Sequence, residues 1–331
     1  MRVLVTGASG FVGSHATVAL LAAGHDVRLL VRNPDKAARV LAELLPQDVR
    51  HAIVPGDIRD RAAVRQALAE CDAVLHSAAE MGVTGHGADL RGANVQGLEN
   101  VLGQAVELGL DPVVHVSTVA VFVPPKEPVI TAGSPLASPR NAYGRSKVEG
   151  ERYARELGGV TIVYPGGVVG PYQPTLDALN EGLRAGLRMG WPIVPGGVSI
   201  LDVRDLAAAL AACFTKGQGT RRYLIGGNFR KWREVADLCA RVTGRKPTTF
   251  RIPGWTLRAM GAALDAIRVV DYPLTRDAAD FMLTLVPTDD ALALRELGVT
   301  LRPVEDTVSD TLRWLAAEGH LNPRKIGRLA T

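Results

Sequence analysis

The chain has 331 residues, of which 47% are hydrophobic and 22% charged, with a formal net charge of +4 at pH 7. This composition is typical of a globular protein and excludes a disordered or fibrous chain. The three cysteines, Cys71, Cys213 and Cys239, are far apart and form no CxxC pair. We therefore expect neither a disulfide framework nor a metal site, and a reducing compartment.

Strand-like residues begin at Arg2, so we expect no signal peptide and a cytoplasmic location. The apolar stretch ATVALLAAG is too short to span a bilayer. Basic residues outnumber acidic ones between Arg221 and Arg268, but no nucleic-acid-binding motif accompanies them. A solvated basic face is the simpler interpretation of this segment, and we expect no nucleic-acid partner.

In residues 1–165, short apolar runs alternate with longer helical segments. The predicted strands are RVLVT, DVRLLVR, VRHAIVPG, AVLHSAA, PVVHVST and VTIVYP, and the predicted helices begin near Phe11, Asp35, Arg61, Ala88 and Ala142. Nearly continuous apolar strands separated by helices indicate a parallel sheet covered on both faces. The expected fold class is therefore α/β, with a doubly wound parallel sheet of the Rossmann type.

After Pro165 the pattern loosens into Gly/Pro-rich loops, with helices predicted over 177–189, 204–214, 232–243, 254–267 and 304–318 and a short strand at RRYLIGG. We expect a dinucleotide-binding domain over residues 1–165, to which some later segments return. Residues 166–331 should form mainly a smaller substrate-binding lobe on the carboxyl edge of the sheet, where open α/β sheets bind ligands.

Three glycines, Gly7, Gly10 and Gly13, stand between the first strand and the first helix. Glycines at this spacing let the turn close and let the backbone approach a pyrophosphate, which the free N–H groups of the helix amino terminus attract. The sequence therefore predicts a dinucleotide site. The second strand ends at Arg32 rather than at an acid that would hold a ribose 2′-hydroxyl, which favours NADP(H). NAD(H) remains the alternative, with Arg32 an ordinary surface cation.

Tyr143 and Lys147 lie four residues apart, on one face of a predicted helix. A phenol titrates near pH 10, so it is a poor base at neutral pH. We expect the neighbouring ammonium, together with a positively charged nicotinamide, to lower the pKa of Tyr143. The pair then exchanges a proton with a substrate oxygen while a hydride moves to or from carbon.

The run TGASGFVG, together with YGRSK, resembles the extended short-chain dehydrogenase/reductase superfamily, which includes the NAD-dependent epimerase/dehydratase family and carries the signature TGxxGxxG. The resemblance extends over nearly the whole chain and is strongest up to Pro171. It implies that the following residues contact the cofactor, in addition to Tyr143 and Lys147: Gly7, Ser9, Gly10, Phe11, Val12, Gly13, Asp57, Ile58, Ala78, Ala79, Pro165 and Val168. It also implies a homodimer formed through the helix of the Tyr/Lys pair.

The run VHVSTVAVF resembles the family segment that carries the catalytic hydroxyl, and the second hydroxyl of that segment corresponds to Thr118. A hydroxyl beside Tyr143 would hold the substrate oxygen and stabilise developing charge. Ser117 is the alternative. Asn94 matches a family Asn that organises backbone or water, although a capping or buried amide is an equally good interpretation.

This chain lacks, at the corresponding positions, the polar groups that characterise two branches of the superfamily. Val119 and Ala120 stand where 4,6-dehydratases carry an Asp-Glu pair, and Gly167 and Tyr164 stand where nucleotide-sugar epimerases commonly carry Asn and Arg. What remains resembles the branch of dihydroflavonol 4-reductases and 3β-hydroxysteroid dehydrogenases. It implies an NADP(H)-dependent oxidoreductase acting on a ketone or secondary alcohol of a medium-sized, largely apolar substrate. A nucleotide-sugar epimerase that uses NAD and a non-catalytic dinucleotide sensor are the alternatives.

The segment from Gly254 to Ile267 places Leu257, Met260, Leu264 and Ile267 at helical spacing, with basic residues largely elsewhere on the helix. Such a helix can lie at a membrane surface, but it can equally cover the core or the substrate pocket. The second interpretation is the simpler one.

Overall fold

The structure, a computed structural model, describes residues 1–46, 51–80, 89–139, 142–267 and 276–330. The described strands are β1 (Arg2–Thr6), β2 (Asp26–Val31), β3 (Ala52–Pro55), β4 (Ala73–His76), β5 (Val113–Val116), β6 (Val160–Pro165), β7 (Val168–Val169), β8 (Trp191–Ile193), β9 (Gly197–Asp202), β10 (Arg221–Ile225), β11 (Asn228–Lys231) and β12 (Thr249–Arg251). The described helices are α1 (Phe11–Ala22), α2 (Pro34–Ala42), α3 (Arg61–Leu68), α4 (Gly97–Glu107), α5 (Ala142–Leu157), α6 (Ala178–Met189), α7 (Val203–Ala212), α8 (Trp232–Thr243), α9 (Gly254–Ile267), α10 (Arg276–Thr284), α11 (Ala291–Leu297) and α12 (Val304–Ala317).

The large sheet has the strand order β10-β6-β5-β4-β1-β2-β3 in the described part of the chain, and its strands pair in parallel. The chain builds outward from β1 in one direction through β2 and β3, and in the other through β4, β5 and β6. This reversal beside β1 defines the doubly wound fold and opens a crevice at the carboxyl ends of β1 and β4. The predicted fold class is confirmed.

Each face of the sheet is covered by helices, as near-continuous apolar strands require. Val3, Val5 and Leu75 face α1, α2 and α7 in one core. Leu4, Val74 and Ile162 belong to the opposite core with α3, α4 and α5. Ala88, the predicted start of a helix, lies outside the described residues; the described segment there contains a π-helical turn, Gly92–Gln96, directly before α4.

The later part of the chain forms a second core between α6, α8 and α12, centred on Trp191, Leu238 and Leu312. A small sheet of β7, β9 and β11 borders it. Strand β10, predicted beside this lobe, instead pairs with β6 at the edge of the large sheet, because hydrogen bonding to β6 satisfies its backbone. Helix α7 likewise packs on α1. The division of the chain at residue 165 stays a prediction.

Helix α9 is packed on one side and exposed on the other. Leu257 is buried against Val194 and Ala279, whereas Trp255 and Met260 are exposed. The side chains of Leu264 and Ile267 are outside those described. None of the described helices combines the length and apolar character needed to cross a bilayer. Packing of Leu257 favours the covering role for this helix, and contact with a membrane surface stays untested.

A buried ion pair joins α7 to the segment that leads into α12. The Asp205 carboxylate accepts hydrogen bonds of 2.8 Å from both the backbone N–H and the Nε of Arg302. Asp205 is 5% exposed. Because the partners are 97 residues apart, the pair ties the helix that covers the large sheet to the second core.

We expect Asp205→Ala to lower the free energy of unfolding by about 1–3 kcal/mol, because the partly buried donors of Arg302 lose their 2.8 Å acceptor and only Asp202, 3.5 Å from Nε, remains. Urea denaturation followed by circular dichroism measures the change. The control is Arg241→Ala, which breaks an exposed pair with Glu305 and should change stability by less than about 1 kcal/mol. Equal losses in the two variants would contradict this role for Asp205.

Candidate active site

The turn between β1 and α1 is formed by glycines that leave no room for side chains. Gly7 has φ +81°, and a Cβ there would lie 2.7 Å from the backbone nitrogen of Ala78. A Cβ at Gly13 would collide with the carbonyl oxygen of Gly7. Gly10 donates its N–H to Gly7 O (2.9 Å) and begins α1 without a side-chain cap. The first N–H groups of α1 thus face a backbone cradle suited to a phosphate.

Ser9, Phe11 and Val12 line this turn, each partly exposed. The ring of Phe11 lies edge-on to His15, with 5.3 Å between centroids. From the far side, a Cβ on Gly170 would come within 3.6 Å of the Phe11 ring. The loop after β7 therefore borders the glycine turn, as the predicted pocket requires.

Charged groups surround the end of β2. The Arg32 guanidinium is 66% exposed and lies 3.8 Å from the Glu80 carboxylate. Asp57, after β3, accepts hydrogen bonds from Arg59 at 2.6 Å and 3.1 Å. These bonds hold the pKa of Asp57 below its usual range, and the charge of Arg32 acts in the same direction. Arg32 therefore stands among carboxylates, which its sequence position does not reveal.

Ile58 packs its side chain towards Gly97 at the start of α4, and its carbonyl accepts from Asn100 Nδ2 (2.9 Å). Ala78 and Ala79 follow β4 in a loop held against the glycine turn by Ser77, whose Oγ donates to Thr6 O at 2.8 Å. The close approach expected at Ala78 is thus made to Gly7.

Asn94 binds both the loop after β4 and helix α5. Its Oδ1 accepts from the Glu80 N–H and its Nδ2 donates to the Glu80 carbonyl, both at 2.8 Å. The same Nδ2 lies 3.0 Å from Ser146 Oγ, which donates to the Tyr143 carbonyl at 2.7 Å. Asn94 thus bonds to backbone and is itself a buried amide, so both interpretations drawn from the sequence fit its environment.

The two hydroxyls after β5 have different environments. Ser117 is buried, and its Oγ donates to Glu151 Oε2 at 2.7 Å. Thr118 is half-buried and caps the 3₁₀ turn Val119–Phe122, accepting from the Ala120 N–H at 3.2 Å. Its hydroxyl proton remains available to a substrate. This difference favours Thr118 over Ser117 as the catalytic hydroxyl.

Tyr143 and Lys147 occupy the first two turns of α5. Burial lowers the pKa of Lys147 to about 8, with Glu151 opposing the shift. Burial also raises the pKa of Tyr143 to about 12. In the protein without a cofactor, loss of water around the phenolate governs the pKa of Tyr143. The expected lowering also required a positively charged nicotinamide and stays a prediction. At neutral pH the phenol carries its proton.

Two buried histidines lie beside Lys147 at the carboxyl ends of β4 and β5. Their rings, those of His76 and His115, stack with 5.4 Å between centroids. Burial lowers the pKa of both histidines, and the charge of Lys147 lowers it further. Both imidazoles are therefore neutral at physiological pH, and neither places a positive charge beside Lys147.

Pro165 ends β6 and pairs with Ile225 of β10. Val168 of β7 packs on the same core as Val12 of α1.

The segment between Pro165 and Val168 is closely packed. A Cβ at Gly167 would lie 2.5 Å from Ser199 O and collide with Leu179, so the backbone here leaves no room for the Asn of the epimerases. Tyr164, at the position of the epimerase Arg, is fully buried, and its hydroxyl donates to Glu151 Oε1 at 2.5 Å. Its replacement of Arg therefore concerns the interior and not a substrate contact.

Sequence reasoning overlooked Glu80, Ser146 and Glu151. The one signal for Glu151 was its position four residues after Lys147, which places both on one face of α5. Residues 81–88 lie outside the described residues. Among described side chains, no group of three or more His, Cys, Asp or Glu is arranged to hold a metal ion.

Comparison with known proteins agrees with this geometry. A 4-hydroxy-2-methyl-3-oxo-4-farnesyl-3,4-dihydroquinoline-1-oxide ketoreductase of Stigmatella aurantiaca is 28% identical over 343 residues, covering 96% of this chain and 98% of that protein. A putative dihydroflavonol 4-reductase of Synechocystis is 26% identical over 335 residues, covering 96% and 95%. The terminal R domain from the myxalamid PKS-NRPS biosynthetic pathway superposes with a TM-score of 0.81 at 22% identity, covering 97% of this chain and 92% of that one.

The sequence model of the NAD-dependent epimerase/dehydratase family matches residues 3–226, which include the glycine turn, Thr118, Tyr143 and Lys147. The match spans more than half of the chain, and the relatives align over nearly all of it. The protein therefore belongs to the NAD-dependent epimerase/dehydratase family and is an enzyme of the extended short-chain dehydrogenase/reductase superfamily.

Proposed function

We propose that this enzyme transfers a hydride between NADP(H) and a ketone or secondary alcohol of a medium-sized, largely apolar molecule, with Thr118, Tyr143 and Lys147 as catalytic residues. The observation that carries the proposal is that the hydroxyl residues beside α5 have different environments. Ser117 is committed to Glu151, whereas Thr118 and Tyr143 are half-buried, and the buried Lys147 follows Tyr143 by one turn of α5.

The chain's own residues fit a dinucleotide. A Cβ would fill the cradle at Gly7 and Gly13, and the uncapped start of α1 suits a phosphate. When bound, the reduced nicotinamide supplies the hydride. Pro165 and Val168 would complete the wall of this site together with Ala78 and Ala79, and Asn94 would keep the loop after β4 in place.

In the reduction direction, the Thr118 hydroxyl donates to the ketone oxygen and holds it beside Tyr143. Tyr143 transfers its phenolic proton to that oxygen as the carbon is reduced. A phenol with a pKa of about 12 is fully protonated at neutral pH, so it is ready to act as an acid. Lys147 favours the phenolate that remains, because its ammonium lies one turn away on the same helix face.

Reduction is favoured over nucleotide-sugar epimerisation by the backbone at Gly167, where an Asn would collide with Ser199 O and Leu179. The ketoreductase and dihydroflavonol reductase relatives support the same choice. The farnesylated ring named for the Stigmatella enzyme supports an apolar substrate. A homodimer and a cytoplasmic location remain expectations.

NADP(H) is proposed as the preferred cofactor because the exposed Arg32 guanidinium can pair with a 2′-phosphate. NAD(H) is the second candidate, and one observation favours it. Glu80 lies 3.8 Å from Arg32, so a bound 2′-phosphate would have to compete with a carboxylate.

Tyr143→Phe should leave NADPH affinity nearly unchanged and lower kcat at least about 100-fold, because the proton donor is lost while the ring remains. Absorbance of NADPH with a panel of cyclic and aryl ketones measures turnover. Tyr153→Phe, on the same helix, is the matched control and should retain wild-type turnover. Wild-type turnover in Tyr143→Phe would remove this phenol from the mechanism.

Arg32→Ala should weaken NADPH binding about tenfold, the loss of one charge-assisted contact, and leave NADH binding unchanged. Fluorescence titration of both dinucleotides measures this. Arg39→Ala, exposed on α2, is the control and should change neither affinity. Tighter binding of NADH than NADPH by the wild-type protein would contradict the assignment.

Lys147→Met should stabilise the protein by about 3 kcal/mol at pH 7, since it removes a buried charge whose pKa falls from 10.5 to about 8 on folding. Below pH 8 both folded and unfolded chains bind this proton, and the full cost of burial applies. As pH rises towards 10.5 the folded wild-type chain releases the proton first, so the advantage of the variant should shrink to about 1 kcal/mol at pH 10. Urea denaturation at pH 7 and pH 10 tests this; a constant difference would contradict it.

A further inference from the structure

Helix α5 carries a buried carboxylate, that of Glu151, which takes no part in the proposed proton transfer. Glu151 is fully buried, and both of its oxygens accept hydrogen bonds. Oε2 accepts from Ser117 Oγ at 2.7 Å, while Oε1 accepts from Arg155 Nε at 2.7 Å and from the Tyr164 hydroxyl at 2.5 Å. An ionised carboxylate in the interior requires such compensation.

Each donor to the Glu151 carboxylate has a distinct environment. Arg155 supplies a cation whose side chain is 22% exposed and whose Nη2 also donates to Tyr164 at 3.1 Å. Burial, and next the Glu151 charge, raise the pKa of Tyr164, so its hydroxyl stays a donor. Ser117, the residue before Thr118, is held in the interior by the same carboxylate.

Lys147 precedes Glu151 by one helical turn, and both face the sheet. The charge of Lys147 acts on His76 from β4 and His115 from β5, and the charge of Glu151 acts on Lys147. Tyr143 precedes Lys147 by one turn of α5. The two imidazoles and the phenol are neutral at pH 7, for the reasons given above. Glu151 is therefore the anion that acts on Lys147 among these neighbours.

We propose that Glu151 is a positioning residue that holds the Lys147 ammonium charged inside the protein at neutral pH, and that Ser117, Arg155 and Tyr164 hold the Glu151 carboxylate in place through hydrogen bonds. Burial alone favours neutral lysine. A carboxylate one turn away offsets that preference, as an opposite charge at about 4–6 Å typically moves a titration by 1–3 units. The significance for catalysis rests on the proposed role of Lys147; the test below does not need catalysis.

The experiment titrates Lys147 directly in the full-length protein. The chain has few lysines, so ¹³C-labelled lysine side chains can be followed by NMR, and the signal missing from Lys147→Arg identifies Lys147. In Glu151→Gln, we expect the Lys147 midpoint to fall by at least about one pH unit. Glu149→Gln is the matched control, because it neutralises an exposed carboxylate on the same helix, and its midpoint should equal that of the wild type.

Arg155→Gln provides a test of opposite sign. Without its guanidinium, Glu151 acts more strongly on Lys147, and the midpoint should rise. This variant decides the matter if Glu151→Gln does not fold. An unchanged Lys147 midpoint in folded Glu151→Gln, or no rise in Arg155→Gln, overturns the proposal.

A second readout separates this proposal from the proposed function. NADPH affinity, measured by fluorescence across the same pH range, should weaken above the Lys147 midpoint in the wild type and at correspondingly lower pH in Glu151→Gln. If the NMR midpoint moves as expected but NADPH does not bind at any pH, Glu151 still holds the charge and only the cofactor assignment fails. If NADPH binds and the NMR midpoint does not move, the role of Glu151 is wrong and the cofactor assignment stands.

Discussion

The strands of the large sheet run in one direction, so the segments that follow β1, β2, β4 and β5 meet at one edge. The glycine turn, Arg32, the loop after Ala78 and Thr118 come from these four segments. The close fit of Gly7 against Ala78 locks two of them together, and Asn94 fastens the loop after β4 to α5. The chemistry of the site depends on this common edge.

Burial governs the charges behind that edge. It keeps His76 and His115 neutral, lowers the pKa of Lys147 and raises that of Tyr143. Burial thus lowers the pKa of Lys147 to about 8 behind this edge, and shifts of this kind are common at functional sites. The same burial keeps the phenol of Tyr143 protonated at neutral pH.

The second core contributes shape more than charge. Close packing at Gly167 and Gly170 brings the segments after β6 and β7 against Ser199, Val203 and Phe11. The Asp205–Arg302 pair connects this lobe to α7 and so to α1.

The sequence alone determined the parallel sheet, the glycine turn and the Tyr143/Lys147 pair, because each is a local pattern: alternating apolar and helical segments, a short glycine spacing, and one turn of helix. Only the tertiary structure decided that Ser117 serves Glu151 and leaves Thr118 to the site, that Glu80 stands beside Arg32, that Tyr164 belongs to the interior, and that the phenol pKa rises. These facts depend on burial and on partners that are distant in the chain or lie on different elements, such as Ser117 and Glu151, which are 34 residues apart. Desolvation and long-range contact arise only when the chain is folded, and no local spacing encodes them.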